Sequence, residues 1–219
     1  MFKNFSTIKK CPLFLDIKEE NLESMLDCLS ARARTFEKNE FIFNEGDKIT
    51  KIGIVLAGSV SIIKEDFWGN RSILSLIEAG DLFGESFTFS DTKKIPINAI
   101  ANEKTDVLFV DYSKIISTCS NACEFHTELI RNMLKILASK NIMLTQKIEH
   151  LTQHSTREKL LSYLSEQSRR SESNSFSIPF NRQELADYLS VDRSAMSNEL
   201  CKMRDEGLIS FDKSTFTLH

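Results

Sequence analysis

FNRQELADYLSVDRSAMSNELCKMRDEGLI, running from Phe180 to Ile209, reads as a helix, a tight turn and a second helix. Asn181 is placed to cap the first helix, with Glu184 three residues on to close a capping box. Leu185, Tyr188 and Leu189 follow at i, i+3 and i+4, one apolar face for a core. Ser190 and Val191 bridge to Asp192, a second cap, whose helix is expected to run to about Glu206. Met196, Leu200 and Met203 form its buried stripe, and Gly207 supplies the stop.

That pattern leaves Arg193, Ser194, Ser197 and Asn198 on the open, N-terminal part of the second helix. These are side chains that read base edges in a major groove: Arg pairs bidentately with guanine, Asn with adenine, and Ser exchanges hydrogen bonds with several bases. Arg182, Lys202 and Lys213 add positive charge to the same region. GLISFDKSTFTLH then reads as two short strands around a Lys213–Ser214 turn, a wing beside the helices. Two amphipathic helices of an ordinary bundle are the plain alternative. That reading does not account for caps, turn length and polar quartet together.

RQELADYLSVDRSAMS is similar to the helix-turn-helix of the Crp/Fnr family of bacterial transcription regulators, and the likeness extends over nearly the whole chain. FIFNEGDKITKIGIVLAGSVSII at 41–63 and GNRSILSLIEAGDLFGES at 69–86 resemble that family's cyclic-nucleotide-binding-like jelly roll. Gly46, Gly58, Gly69, Gly80 and Gly84 recur between its apolar runs. The implied fold is α+β: an N-terminal β jelly roll over residues 1–112, a helical segment with a long dimerisation helix over 113–152, and a C-terminal winged helix-turn-helix over 153–219. The resemblance also implies an activator that meets RNA polymerase, in a homodimer on double-stranded DNA with a palindromic operator.

Composition agrees with that reading in most respects. The 219 residues are ample for two modest cores. No apolar run approaches the ~18 residues of a membrane helix, so no membrane association is expected. Five scattered cysteines, an odd number, suit free thiols in a reducing cytoplasm. Charge pulls the other way, since the net charge is −3. From Arg157 onward nine Lys or Arg face ten Asp or Glu, so the basic domain expected of a nucleic-acid binder is absent. The cations cluster locally instead, in the helix-turn-helix and wing, which predicts weak, salt-sensitive non-specific affinity.

Residues 1 to about 30 read as helical, with Leu22, Met25, Leu26 and Leu29 on one face, and residues 33 to about 111 alternate β-rich runs with glycine turns. SRRSESNS at 168–175 reads as a polar surface loop. Between these lies a long helix from Glu124 to about Thr152. Ile130, Leu134, Leu137, Asn141, Leu144, Ile148 and Leu151 recur along it in steps of 4 and 3. This is a heptad seam, with Asn141 at an a position where a buried Asn fixes register in a parallel pair. Leu129, Met133 and Ile136 form a second stripe for the jelly roll. The alternative is one helix buried on both sides within a single chain. His154, Ser155 and Thr156 fall in the hinge that follows.

An effector site is implied by the resemblance, but the match is incomplete. Cyclic-nucleotide binders of the family start a phosphate-binding segment with Gly-Glu and follow it with Arg-Ser or Arg-Thr. Gly84, Glu85 and Ser86 match the start, whereas Ile95 and Pro96 occupy the later pair. Pro96 has no N–H to give, and Lys93 and Lys94 lie two positions off. On the long helix Ile142 and Met143 stand where hydroxyls would meet adenine. An unneutralised phosphate is costly to desolvate, so cyclic AMP is not the expected ligand and Glu85 reads as structural; a cyclic-nucleotide-responsive regulator stands as an alternative. The family's clustered N-terminal iron–sulfur cysteines are also missing, with only Cys11 and Cys28 there, and no His precedes His126 to hold a haem. Cys119, Cys123 and His126, at i, i+4 and i+7 if helical, are the one thiolate–imidazole trio, offering a metal- or thiol-responsive alternative; packing cysteines and a surface His are the plain reading. The cofactor is unassigned and no metal is expected.

Enzyme classes fare poorly. A cupin would carry metal-binding His inside its barrel, but all four His follow it. His150 and His154 form HxxxH with Leu151 in place of the catalytic Glu of a zinc peptidase. A non-enzymatic interaction module would have no use for the Arg193–Asn198 face. The expectation is a cytoplasmic, DNA-binding, non-enzymatic regulator answering an unidentified small molecule or redox signal.

Overall fold

A computed structural model describes residues 4–69, 71–88, 94–116 and 124–219. The chain forms two compact units, Met1–Asn70 with Leu74–Lys140, and Arg71–Ile73 with Asn141–His219.

The first unit opens with α1 (Phe5–Lys10), a 3-10 turn at Pro12–Phe14 and α2 (Glu19–Cys28). Leu22, Met25 and Leu26 of α2 are buried, the face expected from their spacing. Eight strands follow: β1 (Arg32–Phe36), β2 (Phe41–Phe43), β3 (Lys51–Ala57), β4 (Val60–Glu65), β5 (Arg71–Ile77, of which Arg71–Ile73 count with the second unit), β6 (Leu82–Phe83), β7 (Asn98–Ala101) and β8 (Thr105–Asp111). They make two four-stranded sheets, ordered β1-β8-β3-β6 and β2-β7-β4-β5. The described pairings are antiparallel, with Arg32 opposite Phe109 and Ile54 opposite Leu108. Two short helices, α3 (Glu85–Thr88) and α4 (Ser113–Ile116), flank β7 and β8.

The run KIGIVLA of β3 is apolar on both faces because both faces are covered. Ile52, Ile54 and Leu56 face α1, α2 and the first half of α5 (Glu124–Leu151), where Leu129, Met133 and Ile136 are buried in the same cluster. Val55 points the other way, between the sheets, with Phe36, Phe43, Phe83, Ile95 and Val107. Gly53 leaves room for the Phe83 ring, since a Cβ there would collide with it. The interior of the jelly roll is thus filled by aromatic and branched side chains.

In the second unit come α6 (Thr156–Ser171), β9 (Ser175–Ser177), α7 (Arg182–Leu189), α8 (Arg193–Asp205), β10 (Ile209–Asp212) and β11 (Thr215–Leu218). One expectation is corrected: SRRSESNS is no continuous loop, because α6 runs to Ser171 and Ser175 begins β9. β9 is fixed by burial of Phe176 against Phe216, and it makes the wing three-stranded in the order β10-β11-β9. No helix among the described residues is long and apolar enough to cross a membrane.

Candidate nucleic-acid interface and effector segment

The helix-turn-helix is set by side chains close in sequence. Asn181 Oδ1 accepts from the amides of Gln183 and Glu184 at 2.9 and 3.0 Å, and the Asn181 amide donates to Glu184 at 2.8 Å. Both halves of the capping box are therefore made. α7 ends at Ser190, in the left-handed region at φ 52°, and the Val191 amide returns to the Ala186 carbonyl at 3.0 Å. Asp192 then caps α8 by accepting from Ala195 N–H at 2.8 Å. Gly207 follows α8 at φ 76°, a conformation glycine adopts without Cβ strain.

α8 buries Met196, Leu200 and Met203, which points Arg193, Ser194 and Asn198 into solvent with Ser197 half-buried beside them. Lys202 is exposed one turn further on, 3.5 Å from Glu199. From α6, Arg157 donates to Glu199 at 3.2 Å and also bonds Glu206, clamping both ends of the α8 C-terminal half. Those two carboxylates hold the Arg157 pKa above its ordinary value. Sequence reading missed this clamp, because partners more than 40 residues apart leave no local signal.

Lys213 sits exposed in the β10–β11 turn at φ 49°. Arg182, grouped from sequence with the DNA-contacting cations, stacks its guanidinium 4.8 Å from the Phe211 ring centroid and 5.0 Å from that of Phe216. Burial there lowers its pKa. In this position Arg182 braces the wing that carries Lys213. Arg193, Ser194, Ser197, Asn198, Lys202 and Lys213 thus lie in one unit, all but Ser197 exposed, on the second helix and wing of a winged helix.

In the first unit Gly84, at φ 88°, turns the chain into α3. Glu85 is 2% exposed and its Oε1 lies 2.8 Å from the Lys140 ammonium of α5 and 3.2 Å from Ser86 Oγ. Lys140 also donates to the Leu82 carbonyl. The second carboxylate oxygen of Glu85 is buried with no hydrogen-bond partner among the described residues. Ile95, 2% exposed, belongs to the core between the sheets, and its backbone exchanges hydrogen bonds of 2.8 and 3.0 Å with Gly46 and Asp47. Pro96 and Lys94 are exposed, and Lys93 lies outside the described residues. Ile142 and Met143 are exposed on the part of α5 in the second unit. Lys140, the partner Glu85 acquires, was not legible in the sequence.

Cys119 and Cys123 also lie outside the described residues. Their companion His126 is buried, with Nε2 3.0 Å from the Lys114 carbonyl oxygen. Among the described residues no group of three His, Cys, Asp or Glu is placed to hold a metal ion.

A jelly roll, a long helix and a winged helix with an exposed polar recognition face define the class: a DNA-binding regulator with a sensory-type domain. Comparison with known proteins gives the family. The model of the cyclic nucleotide-binding domain matches residues 33–122 and that of the Crp-like helix-turn-helix domain matches residues 158–219. The transcriptional activator protein Anr of Pseudomonas aeruginosa is 24% identical over 201 residues, covering 90% of this chain and 80% of Anr. The global nitrogen regulator of Nostoc sp. is 24% identical over 196 residues, covering 84% of each. Among solved structures, the c-di-GMP-responsive global regulator CLP of Xanthomonas campestris superposes with a TM-score of 0.73 at 19% identity, covering 92% of this chain and 99% of CLP. FixK2 from Bradyrhizobium japonicum gives 0.67 at 21% identity, covering 86% and 92%. The chain belongs to the Crp/Fnr family and is a DNA-binding transcription regulator, not an enzyme.

Proposed function

We propose that the chain works as a homodimer joined through α5, with two α8 helices reading half-sites of a palindromic double-stranded operator one DNA turn apart. The observation that carries the reading is the division of α8: Met196, Leu200 and Met203 are buried while Arg193, Ser194 and Asn198 are open. Arg193 stands first after the cap, where a side chain reaches into a major groove, and Ser197 and Asn198 follow one turn on. Lys202 and Lys213 meet phosphates. The helical segment 113–152 links the jelly roll, 1–112, to the reading head, 153–219.

Support for the dimer comes from α5. Leu134 is 63% exposed, Leu144 57% and Ile148 61%, all on the heptad seam with Asn141, while Leu129 and Met133 on another face are buried. Large apolar side chains in a row at that spacing are what a parallel partner helix covers. The signal is a small molecule or redox change other than cyclic AMP. Ile95 belongs to the core, Pro96 has no amide to offer, and Glu85 already has an ammonium partner in Lys140. A family role beside RNA polymerase follows from membership and is part of the same proposal.

The test is selection of duplexes from a random pool by the purified protein, followed by a gel shift at stated salt. A palindrome with half-site centres about 10 base pairs apart is the expected product. Selection of no sequence, or of a lone half-site bound by monomer, contradicts the proposal.

A further inference from the structure

Lys147 lies on α5 close to its C-terminal end, and its ammonium is drawn inward. The residue is 9% exposed. Its Nζ donates to the carbonyl of Ile73 in β5 and lies 4.0 Å from the ring centroid of Tyr188 in α7. Ile73, Lys147 and Tyr188 all belong to the second unit. A Lys at the buried stripe of an otherwise amphipathic helix goes against side-chain economy, because a methionine would fill the same space without desolvating a charge. Burial does push the Lys147 pKa down, to about 8.

Tyr188 is not an isolated ring. Its centroid is 4.8 Å from that of Phe180 and 5.6 Å from that of Tyr163, and Tyr163 packs edge-on to His150, one turn beyond Lys147 on α5. His150 in turn sits 2.7 Å from Ser162 Oγ of α6. The aromatic cluster thereby joins α5, α6 and α7, and α7 packs on α8. A charge bound at one end to a strand carbonyl and at the other to an aromatic face is directional, where apolar packing alone would tolerate slippage.

We propose that Lys147 is a positioning residue for DNA recognition: its ammonium, held between the Ile73 carbonyl and the Tyr188 ring, fixes α7, and through it α8, against the long helix. The proposal rests on the reading of DNA by α8 and not on the dimer or the effector. A wild-type chain that selects no duplex would overturn that reading, and the comparisons below use the duplex that wild type selects.

The experiment is a double-mutant cycle by fluorescence anisotropy with the full-length protein across a salt series, with melting curves alongside. Lys147→Met, which keeps the stem and removes the charge, is expected to weaken binding roughly tenfold, the factor a partly desolvated cation–π pair supplies. Tyr188→Leu should match it, the double variant should be no weaker than either single, and Lys147→Arg and Tyr188→Phe should stay near wild type. The slope of log affinity against log salt should not change, because Lys147 releases no counterion. Wild-type affinity in Lys147→Met and Tyr188→Leu, losses that multiply in the double variant, or a slope flattened by about one charge would each overturn the proposal. If Lys147→Met loses its melting transition, the Tyr188 pair decides: equal affinity with Phe and Leu at that position overturns it.

Discussion

Replacing Leu144 with Glu tests the dimer seam at an exposed position next to Asn141. Leu144 is 57% exposed, and Ile130, Leu134 and Ile148 on the same seam are 37%, 63% and 61% exposed. Full burial of such a side chain contributes about 1.5–3 kcal/mol, so covering the exposed half contributes about 1 kcal/mol each, or roughly 8 kcal/mol for the eight residues of a symmetric pair. Association itself costs several kcal/mol, which leaves a seam with little margin. Leu144→Glu removes about 2 kcal/mol of this across two chains, and a parallel pair sets the two carboxylates face to face with several kcal/mol of desolvation and repulsion. A total of about 5 kcal/mol lowers the dimerisation constant by roughly a factor of a thousand or more. Sedimentation velocity at micromolar protein should then report monomer. Ser139→Glu, an exposed site on the opposite side of the heptad, should leave the dimer intact. A Leu144→Glu protein that still sediments as a dimer, or two variants that behave alike, refutes the heptad assignment.

Three further outcomes follow from the sites. Saturating cyclic AMP should leave the melting temperature unchanged, and a saturable rise by ligand linkage would contradict the role given to Ile95 and Pro96. Lys140→Ala strands the Glu85 carboxylate at 2% exposure. It should cost about 2–3 kcal/mol in urea unfolding, less than the roughly 3–5 of a fully buried pair because Lys140 is partly open to solvent; a loss under about 0.5 kcal/mol would mean the pair is not formed. Burial lowers the His150 pKa from 6.5. The unfolded chain therefore binds the proton first, and this residue's contribution is present above pH 6.5 and lost as pH falls through the folded value. Between about pH 7.5 and about pH 5.5 wild type should lose more stability than His150→Asn, and parallel losses would place the acid sensitivity elsewhere.

The helix-turn-helix was legible because its determinants are local. Asn181, Glu184 and Asp192 act within three residues, and the apolar stripe of α8 follows directly from 3.6-residue spacing. The alternation of strands and glycines likewise gave the sandwich class. Its pairing order was not readable, since Arg32 meets Phe109 and Ile63 meets Asn98 across long stretches of chain. β9 escaped notice because three residues carry no period, and one buried phenylalanine in a serine-rich segment holds it. Long-range cations were invisible for the same reason. Lys140 and Lys147 look like solvated helix charges until folding brings Glu85 to one and Ile73 and Tyr188 to the other. Arg182 combines both kinds of signal: its place in the motif points to DNA, and the Phe211 and Phe216 rings beside its guanidinium lie about 30 residues downstream, where no local pattern announces them.

Base reading by α8 is tested most directly by comparing Arg193→Ala with Lys213→Ala on selected and random duplexes across a salt series. Arg193→Ala should cost ~1–3 kcal/mol per half-site on the selected sequence, relax preference at one symmetric base pair and leave random DNA nearly unaffected. Lys213→Ala should weaken both duplexes about equally and flatten the salt slope. If Arg193→Ala lowers affinity for selected and random DNA by the same factor, Arg193 contacts phosphate and the account of α8 as the reader of the sequence is contradicted.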